Sequence, residues 1–116
     1  MHVDSLTETI YIDRDNIFKI TVKFDNVLVD FTDTNRYLLT LTDDDAQFTI
    51  DTDVDGSVIT GDDQGVLTFD ISQLVTETGF YSAKLVIFDP TNTDGLVVIS
   101  PCGGNYPKLS VNVCGN

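Results

Sequence analysis

Three features of the sequence predict an all-β domain of about eight to ten short strands, folded as a two-sheet sandwich. The apolar residues recur with a period of two along most of the chain, and no window shows the 3.6-residue period of a helix. Clusters of Asp, Asn, Gly and Pro interrupt that pattern at the intervals expected of strand connections. The third feature is residues 78–88, Thr-Gly-Phe-Tyr-Ser-Ala-Lys-Leu-Val-Ile-Phe, with no breaker after the glycine. Tyr81, Ala83, Leu85 and Ile87 share one face, and Phe80, Ser82, Lys84, Val86 and Phe88 the other. Apolar residues on both faces predict a central strand, with neighbours over both faces or at both ends.

The other elements follow in chain order. Residues 6–12 alternate Leu6, Glu8, Ile10, Ile12 against Thr7, Thr9, Tyr11 and predict a first strand at a sheet edge. Residues 13–16 form a turn. Residues 18–24 predict a half-buried strand, with Phe18, Ile20, Val22 and Phe24 inward and Lys19, Thr21 and Lys23 outward. Asp25-Asn26 turns the chain into a strand over 27–31. Residues 36–42 place Tyr37, Leu39 and Leu41 inward before three successive aspartates, Asp43, Asp44 and Asp45, break the strand. Residues 48–54 predict a strand with Phe48, Ile50 and Val54 inward, ending in an Asp55-Gly56 hairpin signal. Residues 57–60 return, and 66–72 follow with Leu67, Phe69 and Ile71 on one face. A single helical turn fits 72–78. The Asp-Pro-Thr-Asn-Thr-Asp-Gly loop leads to final strands over 96–99 and 108–113.

Length and composition bound the function. A chain of 116 residues makes one domain, 1–116, with residues 1–12 as an N-terminal arm strand. Six Lys and Arg against 19 Asp and Glu leave a formal net charge of −13. That charge argues against phosphate-backbone recognition, and an anionic membrane surface would repel it. It suits either a soluble surface or one that meets a basic partner or a divalent cation. No apolar run approaches the roughly 20 residues of a membrane helix. Met-His-Val-Asp-Ser lacks the basic and apolar regions of a secretory signal, which predicts synthesis in a cytoplasm. Cys102 and Cys114 match no zinc or redox spacing. Two free thiols suit a reducing compartment, whereas a disulfide closing that loop would contribute roughly 3 kcal/mol.

Two constellations carry chemistry. Residues 51–62, Asp-Thr-Asp-Val-Asp-Gly-Ser-Val-Ile-Thr-Gly-Asp, match a calcium loop at its acidic positions and its turn glycine. Asp51, Asp53, Asp55 and Asp62 are therefore candidate calcium ligands. The loop departs from that pattern because Asp62 stands where a longer glutamate would reach in, and neither flank is helical. The same aspartates also fit the solvent face of a strand entering an Asp-Gly turn. A catalytic reading lacks support, since His2 is the single histidine and the paired carboxylates lie in polar turns. The chain is expected to have no enzymatic activity. The second constellation is Gly79-Phe80-Tyr81-Ser82-Ala83. In immunoglobulin-like sandwiches a tyrosine soon after a turn glycine bonds its hydroxyl back to the preceding corner, and Tyr81 suits that role.

Phe-Lys-Ile-Thr-Val (18–22), Val-Leu-Val-Asp-Phe-Thr-Asp (27–33), Gly-Val-Leu-Thr-Phe-Asp-Ile (65–71), the stretch 79–89 and Leu-Ser-Val-Asn-Val (109–113) together resemble the N-terminal β-sandwich of tailed-phage baseplate upper proteins. Similar immunoglobulin-like modules occur on phage heads, tails and fibres. The hairpin at 51–62 stands outside the resemblance. The resemblance implies a non-enzymatic virion protein, made in the host cytoplasm, that serves as a tail or baseplate component or a capsid decoration. Its partners would be other virion proteins, and the charge favours a more basic subunit within a multimeric assembly. The alternatives are a calcium-dependent or carbohydrate-binding β-sandwich, or a detached bacterial adhesion domain.

Overall fold

The structure, a computed structural model, describes residues 5–12, 14, 16–24, 26–102 and 106–115. It is mostly β, with strands in three sheets and almost no helix, an arrangement compatible with an all-β sandwich. The strands are β1 (Ser5–Tyr11), β2 (Phe18–Thr21), β3 (Lys23–Phe24), β4 (Val27–Leu28), β5 (Arg36–Thr42) and β6 (Gln47–Asp51). One short helical turn, α1 (Thr52–Asp55), leads to β7 (Ile59–Gly61), β8 (Val66–Phe69), β9 (Gly79–Phe88), β10 (Leu96–Ile99) and β11 (Lys108–Cys114). The largest sheet runs β1-β11-β9-β5-β6, with β10 also paired to β9. A second runs β2-β8-β7, and β3 and β4 form a small hairpin.

The stretch 79–88 is the central strand. One edge of β9 pairs with β5 along seven residues, Arg36↔Phe88 to Thr42↔Ser82. Its other edge is shared, β11 taking the first half and β10 the second. Of the two arrangements expected, the structure gives neighbours along both edges, while the outer face is covered only in part, with Val86 and Phe88 half-buried. Tyr81, Ala83, Leu85 and Ile87 are buried, whereas Phe80, Ser82 and Lys84 are exposed. Ser and Lys alternate with the aromatic there, and polar side chains at those positions keep the face solvated.

One hydrophobic cluster joins the inner residues of both sheets. Leu39, Leu41, Ile50, Leu85 and Val111 come from the large sheet, and Phe18, Ile20, Leu67 and Phe69 from the small one. Phe18 and Phe69 pair in register and stack with ring centroids 4.8 Å apart. Each such fully buried side chain stabilises the fold by roughly 1.5–3 kcal/mol relative to exposure.

Several elements differ from expectation for local reasons. The strand over 18–24 is interrupted at Val22, whose N–H turns to the Gly65 carbonyl at 2.8 Å. Gly65 has φ +76°, and a Cβ there would lie 2.7 Å from the Val22 carbonyl, so the crossing requires glycine. Only Val27 and Leu28 of the predicted 27–31 strand are extended in a ladder, and both are exposed. The strand over 48–54 stops at Asp51, and Val54, expected inward, is 80% exposed. Its aspartates bond the backbone locally instead of leaving it to a ladder, with the Asp51 carboxylate accepting from Asp53 N–H at the start of α1. The Asp55-Gly56 signal therefore marks a crossing between sheets, because β6 pairs with β5 and β7 with β8. Residues 72–74 make a hydrogen-bonded turn but no helix.

β1 is an edge strand, as expected, but its inner edge is fully used within the chain. It lies parallel to β11 over seven register pairs, Ser5↔Lys108 to Tyr11↔Cys114, and Ile10 is buried. Every other ladder among the described residues is antiparallel.

Candidate interaction surface

Three of the four aspartates singled out as calcium ligands gather around α1, and each has a defined task. Arg36 donates from Nε to Asp51 Oδ1 at 2.9 Å and from NH2 to Oδ2 at 2.6 Å, a two-pronged ion pair. Asp53 lies 3.5 Å from the same guanidinium. The Asp55 carboxylate accepts from Asp51 N–H at 3.0 Å. Asp62 serves the next turn instead, accepting from Gln64 N–H at 2.9 Å and Val66 N–H at 3.0 Å. Among the described residues, no three His, Cys, Asp or Glu side chains are placed to hold one metal ion. The Arg36 hydrogen bond holds the Asp51 carboxyl below its usual range. Arg36 was missed from the sequence as the organising residue, because its pairing with Asp51 arises only when β5 and β6 lie side by side.

The predicted corner is present. The Tyr81 hydroxyl donates to the Glu77 carbonyl at 2.9 Å, and the ring is fully buried against Phe48, edge to face at 5.7 Å. Burial, with Asp43 and Glu77 adding negative charge nearby, raises the phenol pKa above its ordinary value. Gly79 opens this strand at a close approach, where an added Cβ would come within 2.6 Å of Asp43 Oδ2 and that carboxylate would have to shift.

The outer face of the large sheet is open to solvent over much of β9. Registers align Thr7, Ser110, Ser82, Thr42 and Gln47 in one row of hydroxyl and amide side chains across five strands. The next row carries Thr9, Asn112 and Phe80. Phe80 is 58% exposed among these polar neighbours. With Thr42, Asp43, Asp44, Asp45, Ser82 and Pro101 it lines a cleft of about 640 Å³. Asp43 is committed to the loop, its Oδ1 accepting from Asp45 N–H at 2.8 Å and Ala46 N–H at 2.6 Å. That Asx turn leaves Asp44 and Asp45 exposed at the rim.

The other end of β9 carries a related arrangement already filled. There the Arg36 guanidinium lies 4.7 Å from the Phe88 ring centroid while bonded to Asp51. A separate apolar patch forms around the β3–β4 hairpin, where Val27 is 66% exposed and Phe24 meets Tyr106 edge to face at 6.2 Å. Cys102 and Cys114 are both free thiols. No helix among the described residues is long and apolar enough to cross a membrane.

Comparison with protein-family models and with curated protein sequences finds no match to this chain.

Proposed function

We propose that the chain is a non-enzymatic, immunoglobulin-like contact module of a phage virion, part of a tail or baseplate or bound to the capsid. The observation that carries the contact role is the unpartnered outer face of β9, where Phe80 stands in solvent beside hydroxyls and carboxylates. The order β11-β9-β5-β6, opposite β2-β8-β7, supports a variable-type immunoglobulin plan, in which an extra strand joins the G-F-C sheet. The Tyr81–Glu77 bond supports the same plan, because such a tyrosine marks the corner entering strand F. The virion setting rests on the strand motifs at 18–22, 27–33, 65–71, 79–89 and 109–113. In that setting a net charge of −13 favours a more basic subunit as the partner.

Purified particles from the host that carries this reading frame provide the test. Mass spectrometry is expected to find the chain at a fixed copy number relative to the major capsid or tail subunit. Immunogold labelling should then place it on head or tail. Particles that lack the chain after gradient purification overturn the virion reading.

A further inference from the structure

We infer that the Phe80 cleft docks an arginine-bearing segment of a partner protein, an assignment that rests on the contact-module reading above. The guide is the chain's own use of the same parts at the opposite end of the sheet. There Arg36 covers the Phe88 ring at 4.7 Å and bonds Asp51 through both prongs of its guanidinium. The pairing of β5 with β9 sets Arg36 against Phe88 and Thr42 against Ser82. Two residues past Thr42, in the turn after β5, comes Asp44, and two residues before Ser82 on β9 comes Phe80, both lining the cleft. An aromatic ring and carboxylates thus recur there, and no hydrogen bond or ion pair among the described residues engages the Asp44 or Asp45 carboxylate.

The chemistry selects the occupant. A neutral apolar partner would have to desolvate two carboxylates at the rim, at a cost that one phenyl ring does not offset. An anionic partner is repelled by them and by the overall charge of −13. A cation gains from both ring and carboxylates. Guanidinium suits the site better than ammonium because it lies flat on an aromatic face and presents paired donors to a carboxylate. The Asx turn at Asp43 holds the rim in place before any partner arrives, which limits the ordering cost of binding.

The experiment titrates the full isotope-labelled chain with a blocked tetra-arginine peptide, using tetra-lysine and neutral tetra-citrulline peptides as controls. Amide shifts are expected at residues 42–45 and 79–82, with tetra-arginine preferred over tetra-lysine by about three- to fivefold. Phe80→Leu keeps an apolar side chain on a solvent-facing position and should abolish that preference. The double variant Asp44→Asn, Asp45→Asn should weaken both cationic peptides, whereas Asp63→Asn and Asp94→Asn, exposed acids elsewhere, should not. Shifts spread across the acidic turns at 62–63 and 94, or an arginine preference that survives Phe80→Leu, overturn the inference in favour of general charge attraction. Peptide binding at the cleft by a chain absent from particles overturns only the virion role. A chain present in particles with no binding at the cleft overturns only the docking assignment.

Discussion

Tyr81 shows how one side chain can serve packing and hydrogen bonding together. Its ring fills the core against Phe48, and its hydroxyl ties the start of β9 to Glu77. Tyr81→Phe keeps the ring and removes the bond, so denaturation should report a loss of about 1–3 kcal/mol. Tyr81→Ala empties the site and should cost about 3–5 kcal/mol. Burial raises the phenol pKa in the folded state, so this group favours folding fully below its unfolded value of about 10. That contribution is lost as pH rises through the folded value, because the unfolded chain releases the proton first. A melting series from neutral to strongly alkaline pH should therefore fall less steeply for Tyr81→Phe than for the parent. Equal slopes would show that Tyr81 does not govern the alkaline limb. Asp51 acts at the opposite limit. Its carboxyl is held low by Arg36, so its contribution is present above about pH 4 and is lost as pH falls through the folded value. Asp51→Asn should flatten the acid limb of the same series.

Among the elements, β1 carries the clearest consequence for assembly. An arm free to pair with a neighbouring chain would leave the domain intact when removed. Instead β1 runs the length of β11 and contributes buried Ile10 to the core. Ile10→Ala should cost about 2–5 kcal/mol, and deletion of residues 1–12 should lower stability at least as much. A deletion with an unchanged unfolding midpoint would show that β1 is not needed for folding and is free to pair with a neighbouring chain instead. The outer edge of β1 and that of β6 remain without a ladder partner among the described residues. β6 is short and runs straight into the α1 turn, which blunts it as a template for strand addition.

For the molecule as a whole, the dominant global property is a charge of −13 on one small domain. Self-repulsion of that size opposes compaction, and salt screens it over a distance of roughly 10 Å near 0.1 M. Raising sodium chloride from low to physiological ionic strength should therefore raise the melting temperature by a few degrees, an estimate on the order of 1 kcal/mol of relieved repulsion. A decrease would mean that ion pairs such as Arg36–Asp51 outweigh the repulsion. The same acidity makes association with a basic surface faster and stronger at low salt.

Local pattern was enough for the all-β class, the inward set Phe18, Ile20, Leu39, Leu41, Leu67 and Phe69, and the Tyr81 corner. Side-chain alternation along a strand is a property of the backbone, and a tyrosine placed after a turn glycine reaches back only a few residues. Whatever depended on partners distant in the chain required the assembled sheets. The 51–62 segment reads from sequence as a cation loop or a solvent-facing strand, and the pairing of Asp51 with Arg36 arises only when β5 and β6 lie side by side. Phe80 reads as part of a strand flanked over both faces or at both ends until the sheet order leaves its face open. Strand sequences encode which residues share a face, whereas pairing through the backbone decides which strands adjoin and which face the second sheet covers.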